Sequence, residues 1–487
     1  MEVNIVPSNK THASTLGFTN DQRLAYDELI EFINTEFDKD NFKRALVGPA
    51  GTGKTYLIRA LIKNCNRSYS SIGLAAPTHK ACRVLDESVK IPNIKTNTLQ
   101  SDLGLRINFD LEKFNIDNPP FDPKGRIKIG NYKIYIVDEA SMINRGLVTF
   151  LERTCISNKC KLIYIGDDSQ LSPVGEKYSA AFRNIKTYNL NEIVRQEEDN
   201  PVRELLELLR HDVKHKTFTF LNHISKNLEK FDDSNIKGFR VCTAKEFEDL
   251  VILNFSDEQL TKNVDYCKII SYTNLNVSSW NKFVRNVIIK DAEKSIVTNN
   301  DLFISYTTIV DLFNSPIIKN SEDYIIKDVV NFVHPTYGFK GFTVRFTAIH
   351  GGFITQPLFI LDHSDPASVK QYVDVSNQLI NAAKTSNVKI RPQRWKDYYT
   401  FKESCLLLTN IINSQGKLLF GRNLDYGFAL TSHKSQGSTF DTAFVDVNDI
   451  VFDKYGHPYT DVEEINRRLY VACSRCKNKL YLRYGKY

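Results

Sequence analysis

Phe42-Lys43-Arg44-Ala45-Leu46-Val47 runs into Gly48-Pro49-Ala50-Gly51-Thr52-Gly53-Lys54-Thr55, and from there into Tyr56-Leu57-Ile58-Arg59-Ala60-Leu61-Ile62. The first piece reads as a strand. In the last piece Leu57, Ile58, Leu61 and Ile62 recur at i, i+1, i+4 and i+5, which lays them on one helical face. The eight residues between fit G-x-x-x-x-G-K followed by Ser or Thr, placed after a strand and opening a helix. Glycines at those positions let successive backbone N–H groups turn inward at a helix amino terminus, where the dipole favours anions, so the segment is built to cradle phosphates. Lys54 then reaches the β and γ phosphates, and the Thr55 hydroxyl ligates Mg²⁺.

Working outward, Ile72 to Ala76, Ile134 to Val137 and Leu162 to Ile165 are three more apolar runs, each followed by polar residues. Alternation of such runs with helical periodicity predicts successive βαβ units and a parallel sheet, in which ligands bind at the carboxyl ends of the strands. Asp138 and Glu139 follow one of these runs. The first suits Mg²⁺ and the second suits polarising an attacking water. Gly166-Asp167-Asp168-Ser169-Gln170 ends the next run, which makes Gln170 a candidate sensor of the γ phosphate.

The chain has 487 residues, 42% apolar and 25% charged. At ~100 to 200 residues per domain this predicts about three structural units, and it excludes a disordered or fibrous chain. No run approaches the ~18 apolar residues of a spanning helix, and the amino terminus lacks the apolar stretch of a secretory signal. The net charge of +7 suits a polyanion partner without proving one. Nine scattered cysteines read as reduced thiols of a cytoplasmic protein, or of the host-cell cytoplasm for a chain of phage origin. Cys155 with Cys160, and Cys473 with Cys476, lack the second pair that zinc needs.

Between Ser101 and Asn131 the pattern breaks into prolines and isolated Phe109, Phe114 and Phe121, which predicts a small subdomain over 103–131. A second α/β pattern starts near Tyr188, with a helix through Val202, Leu205, Leu206 and Leu209, a strand at Cys267 to Ser271 and a helix after Asn276. From 296 to 424 short alternating runs predict a β-rich insertion. The α/β pattern returns with a strand at Phe444 to Val447, a helix near Glu464 to Ala472 and a strand at Leu480 to Leu482. Arg391, Arg394, Trp395, Lys396, Tyr398, Tyr399 and Lys402 interleave bases with aromatics; an exposed amphipathic segment is favoured there over a stacking platform.

Further segments complete a pattern. They are Phe18-Thr19-Asn20-Asp21-Gln22, Ala76-Pro77-Thr78-His79-Lys80, Asn97-Thr98-Leu99, Leu190 to Gln196 with Arg195, Thr431-Ser432-His433-Lys434-Ser435-Gln436-Gly437, and Tyr470-Val471-Ala472-Cys473-Ser474-Arg475. With the phosphate loop, Asp138-Glu139 and Gln170, this ordered set resembles the superfamily 1 helicases, most closely the 5′ to 3′ branch that includes the phage Dda helicase and RecD. The Thr98 segment lacks the histidine often found in that family's Thr-x-His motif.

The resemblance implies two RecA-like parallel-sheet domains, 1–102 with 132–174 and 175–295 with 425–487. It also implies a strand-separating pin at 103–131 and an SH3-like insertion at 296–424. ATP would lie between the two RecA-like halves, with Gln22 reading adenine, Gln436 and Gly437 touching nucleotide, and Arg195 and Arg475 stabilising the charge of phosphoryl transfer. Pro77, Thr78, His79 and Thr98 on one half, and Thr431, His433 and Lys434 on the other, would grip single-stranded DNA. The implied activity is ATP-dependent DNA unwinding, with Mg²⁺ as cofactor and a DNA fork as partner. The chain would act as a monomer beside replication or single-strand-binding proteins. The rival readings are a helicase of opposite polarity or acting on RNA, an ATP-dependent nuclease, and a nucleotide-switched DNA binder that never translocates. Opening duplex takes ~1.4 kcal/mol per base-pair step on average, which favours a fuelled motor over a passive binder.

Overall fold

The computed structural model of the chain describes residues 17–107, 121–123, 126–192, 200–310, 316–349 and 352–485. It divides into two compact units, Met1–Thr219 with Asp461–Ser474, and Phe220–Thr460 with Arg475–Tyr487.

The first unit is built on strands β1 (Lys43–Val47), β2 (Ile72–Ala76), β3 (Thr96–Thr98), β6 (Ile134–Val137), β7 (Lys161–Gly166) and β8 (Lys186–Asn189), all parallel, in the order β3-β2-β6-β7-β1-β8. Side chains alternate between its faces. Leu46, Leu74, Ile136 and Ile163 pack under helices α1 (Asn20–Asn34), α2 (Lys54–Asn64) and α3 (His79–Val89), while Ala45, Tyr135, Val137 and Tyr164 pack under the helix Arg145–Ser157. Helix α1 starts at a capping box: Gln22 N–H donates to Thr19 Oγ1 (3.2 Å), and Thr19 N–H donates to Gln22 Oε1 (3.1 Å).

Two short strands, β4 (Leu105–Ile107) and β5 (Phe121–Pro123), pair antiparallel at the stem of the stretch expected to form a subdomain. Its foot is closed by Lys128, whose N–H donates to Asp102 O (2.8 Å) and whose ammonium lies 3.5 Å from the buried Asp102 carboxylate. Phe109 and Phe114 lie outside the described residues. The first unit also extends beyond the boundary expected at 174. Strand β8 pairs with β1 because its register carries Tyr188 opposite Leu46, and α4 (Val202–His215) packs against a helix from the far end of the chain.

In the second unit, β9 (Glu229–Phe231), β10 (Gly238–Cys242) and β11 (Cys267–Ser271) join β17 (Ala429–Thr431), β18 (Phe440–Asp446) and β19 (Cys476–Arg483) in the order β17-β11-β18-β19-β10-β9, parallel except for β9. The stretch between β11 and β17 contains a five-stranded antiparallel sheet. Its strands are β12 (Leu302–Ser305), β13 (Asp323–Val333), β14 (Lys340–Ala348), β15 (Leu358–Leu361) and β16 (Leu424–Tyr426), in the order β15-β14-β13-β12-β16.

The same stretch, expected to be β-rich, also holds two helices, α5 (Pro366–Thr385) and α6 (Arg391–Ser404), the second over the segment expected to be exposed and amphipathic. Helix α5 starts at Asp365, which accepts from Ser368 N–H (3.2 Å), and it buries Ser368, Tyr372, Ser376 and Ala383. A buried face of small and hydroxyl side chains leaves little apolar periodicity in the sequence. Helix α6 turns Tyr398 and Phe401 inward.

A buried ion pair joins the two sheets of this unit. The Lys268 ammonium on β11 donates to Asp323 Oδ1 at the start of β13 (3.0 Å) and to Gly427 O just after β16, with both side chains almost wholly removed from solvent. Removing one partner of a buried pair strands the other charge, so Asp323→Ala is expected to destabilise this unit by about 3–5 kcal/mol. Urea unfolding of the full chain checks this, and an unmoved midpoint would show that the joint contributes nothing.

Candidate active site

Parallel strands deliver their carboxyl ends to one edge, and β7 lies between β1 and β6. This order sets the phosphate loop, the Asp138-Glu139 pair and the Gly166–Gln170 loop side by side, and Gly48 N–H donates across to Gly166 O (3.1 Å). Gly51 and Gly53 take the left-handed conformation, with φ of 87° and 76°. Gly53 suits this φ, and a Cβ there would lie 2.4 Å from Gln22 Nε2, so the Gln22 amide would have to leave Thr52 O to make room. At Gly48 a Cβ would meet Leu190 O at 2.6 Å.

Pro49, Ala50 and Thr52 form the bend of the loop. Thr52 Oγ1 donates to Pro49 O (2.9 Å), and the buried Gln22 amide donates to Thr52 O (2.9 Å), so the residue expected to read adenine also braces the loop. Lys54 folds back over the loop, its ammonium donating to Gly48 O (2.6 Å) and Pro49 O (2.8 Å). Gly53 occupies the N-cap of α2 without a side chain to close it, leaving Lys54 and Thr55 in a first turn suited to an anion.

Three charged groups converge here. Burial pushes the Asp138 carboxyl up from its ordinary range while the Lys54 charge pulls it down. The same opposition acts on Asp167: burial raises it, and Lys54, the Tyr470 hydroxyl and the Ser169 backbone N–H lower it. Glu139 N–H donates to Asp138 Oδ1 (2.8 Å), which turns Glu139 into the left-handed region at φ 50°. A non-glycine backbone held in that conformation is strained in the way that clusters at reacting sites.

Beside these groups is a cavity of about 280 Å³, lined by Ser141, Asp167, Gln170, Phe182 and Arg467 among others. Ser141 Oγ and Gln170 Oε1 are buried without a hydrogen-bond partner. One wall belongs to α7 (Val462–Cys473), from the far end of the chain. Tyr470 Oη donates to Asp167 Oδ2 (2.6 Å), and Arg467 donates to Gln170 O (2.8 Å) and to Asp168 O. Neither Arg467 nor the Tyr470 hydroxyl was assigned a role from sequence. Their i, i+3 spacing on one helical face was the available signal, and it names no partner.

The remaining candidates in this unit lie at the ends of β2 and β3. Thr78 caps α3 by accepting from Ala81 N–H (3.2 Å), with Pro77 before it and His79 opening the helix. Thr98 accepts from Ser101 N–H (3.3 Å). Thr431 plays the same part in the second unit, accepting from Lys434 N–H (3.2 Å). In each case capping uses a hydroxyl lone pair and leaves the O–H able to donate.

Lys434 is turned toward the antiparallel sheet. Its ammonium donates to Asn320 Oδ1 (2.9 Å) and Ser321 Oγ (3.0 Å) and sits 4.5 Å from the Tyr306 ring centroid. His433 is half-buried beside it. Gln436 is buried, Gly437 has φ 72°, and the buried Arg475 donates to Ser438 O (3.2 Å), so these three share one neighbourhood of the second unit. Arg195 lies outside the described residues.

The AAA domain family model matches residues 31–226. An uncharacterised protein of Acanthamoeba polyphaga mimivirus is 24% identical over 95% of this chain and 99% of its own length. The RecBCD enzyme subunit RecD of Buchnera aphidicola is 25% identical over 81% of this chain, which spans 63% of that subunit. Among solved structures, the Pif1 helicase of Candida albicans aligns over 96% of this chain and 94% of its own, at 16% identity and a TM-score of 0.47. The AAA-domain match and the RecD relative bear out the resemblance to superfamily 1 helicases that the motifs carry.

Proposed function

We propose that this chain is an ATP-dependent DNA helicase that translocates 5′ to 3′ on single-stranded DNA and unwinds duplex. The observation that carries the reading is the convergence of the Lys54 ammonium with the Asp138 and Asp167 carboxyls at the carboxyl ends of three neighbouring parallel strands. A phosphate loop, a carboxylate for a cation and a second carboxylate beside it answer the needs of phosphoryl transfer, which is mostly positioning and charge stabilisation.

Lys54 exchanges its two loop carbonyls for β and γ phosphate oxygens. Thr55 and Asp138, a hydroxyl and a carboxylate, are the oxygen donors a hard cation prefers and would hold Mg²⁺, whose charge would offset that on the phosphates. Glu139 takes the proton of the attacking water, and the Gln170 amide contacts the γ phosphate. Gln22 reads adenine; Gln436 and Gly437 touch nucleotide. Arg195 and Arg475 take the charge-stabilising role that the resemblance assigns them, a contribution of ~10³ to 10⁵ in rate.

The helicase reading extends this ATPase to a strand. The RecD relative covers most of the chain, and the ordered motifs supply Pro77, Thr78, His79, Thr98, Thr431, His433 and Lys434 as strand contacts. Hydroxyl, imidazole and ammonium donors suit a phosphate backbone. In this reading the strand is DNA, the stretch 103–131 separates strands at a fork, and 296–424 forms the SH3-like cover within a pair of RecA-like domains.

Three outcomes are expected. Lys54→Ala lowers ATP hydrolysis by at least about a hundredfold while leaving single-strand affinity within a few-fold, measured by steady-state ATPase and anisotropy; loss of both would indicate misfolding. Glu139→Gln binds ATP but turns it over ~10² to 10⁴ more slowly, and an unchanged turnover would remove Glu139 from its role. Unwinding of duplexes carrying a single 5′ or 3′ overhang decides between motor and switch. ATP-dependent opening from the 5′ overhang alone is expected, the 3′ overhang alone would reverse the polarity, and neither would leave an ATP-gated binder.

A further inference from the structure

The loop from Asp167 to Gln170 is held by a helix that the chain reaches only some three hundred residues later. Two polar bonds make the hold. Tyr470 Oη donates to Asp167 Oδ2 at 2.6 Å, and both residues are 1% exposed. A hydroxyl-to-carboxylate contact of that length is a strong, charge-assisted one. Arg467 reaches the carbonyls of Asp168 and Gln170 with one nitrogen, while its other nitrogens bind Glu463 Oε1 (3.0 and 3.3 Å). Glu463 is itself paired with Lys216 (3.2 Å), at the end of α4. Asn466, one residue before Arg467, donates to Asp212 O (3.1 Å) and Thr217 O (2.8 Å) and so fixes α7 along the same helix.

The distribution of these bonds within the loop is uneven. The Asp167 side chain and the Asp168 and Gln170 carbonyls are all engaged by α7. The Gln170 side chain is not: its Oε1 is buried, faces the cavity and has no partner. Asp167 in turn feels the Lys54 charge, so the group that Tyr470 grips is also part of the charge cluster around the phosphate loop. Backbone and anchor are clamped, while the buried Oε1 of the Gln170 amide, the group expected to meet the γ phosphate, is left without a partner.

We propose that α7 is a clamp on the sensor loop, with Tyr470 and Arg467 as positioning residues that fix Asp167 and the Gln170 backbone so that the Gln170 amide is presented in one place. The proposal rests on the ATPase reading above for its catalytic consequence, but not for the clamp itself. A misplacement of about 1 Å from a remote change can lower turnover ~10²-fold without loss of binding.

The test uses Tyr470→Phe in the full chain, which removes the hydroxyl and keeps the ring. Turnover of ATP with single-stranded DNA present is expected to fall about tenfold to a hundredfold, with KM for ATP within about twofold. Hydrogen exchange of the 167–171 segment is expected to quicken while the rest of the first unit exchanges as before. Because Tyr470 acts through Asp167, Tyr470→Phe combined with Asp167→Asn should be no slower than Asp167→Asn alone. Arg467→Lys, which keeps charge but cannot span two carbonyls and Glu463 together, is expected to quicken exchange in the same segment.

Unchanged turnover in Tyr470→Phe, a raised KM with turnover intact, or unaltered exchange at 167–171 would each overturn the clamp. So would additive losses in the double variant. Absence of ATP hydrolysis in the unsubstituted chain would instead overturn the helicase reading, and the exchange measurement would still decide the clamp.

Discussion

The Lys54 charge acts on two carboxyls, Asp138 and Asp167, that burial raises toward the neutral form and that the lysine pulls back down. Much of the first unit can be understood as the means of bringing these three groups together without forming a permanent, self-satisfied ion pair. Lys54 is not bonded to either acid; it is held on the carbonyls of Gly48 and Pro49. Neutral carbonyls are weaker partners than phosphate oxygens for an ammonium, so the lysine is available to an anionic ligand. The strand order contributes directly, since the single strand β7 lies between β1, which leads into the loop, and β6, which leads into the Asp138-Glu139 pair.

The left-handed residues at this edge belong to the same constraint. Gly53 leaves room for Gln22 over the loop, and Glu139 is forced to positive φ because its own N–H turns back to Asp138. One is a place that suits glycine; the other is a place where a non-glycine backbone accepts strain. Both sit where strands end and backbone groups lose their ladder partners, which is where a sheet has polar groups to offer a ligand.

Much of this was legible in the sequence because it is local. The strands at Ile72–Ala76 and Ile134–Val137 coincide with the apolar runs, since a buried parallel strand favours an unbroken one, and Cys267–Ser271 coincides too although its Lys268 is buried in an ion pair. The phosphate loop is legible because its glycines and lysine are contiguous. What escaped is what depends on distant partners. The edge strand β8 has a mixed pattern, as an edge does, and it pairs into the first sheet although the second α/β pattern is expected to start there. Helix α5 buries serines and a tyrosine, and helix α6 alternates charge with aromatics, so neither announces a helical face. The Tyr470 to Asp167 bond joins residues 303 positions apart, and nothing beside either one specifies the other.

The helix Val462–Cys473 has one more consequence, for how the chain matures on the ribosome. Its flanking strands β18 and β19 belong to the second unit, yet the helix itself completes the first. Synthesis proceeds at ≈ 5–20 residues per second, so the surface of α4 that receives it stays uncovered while more than two hundred intervening residues emerge. A nascent chain halted anywhere before Asp461 lacks both the helix that α4 packs against and the Tyr470 hydroxyl that holds Asp167.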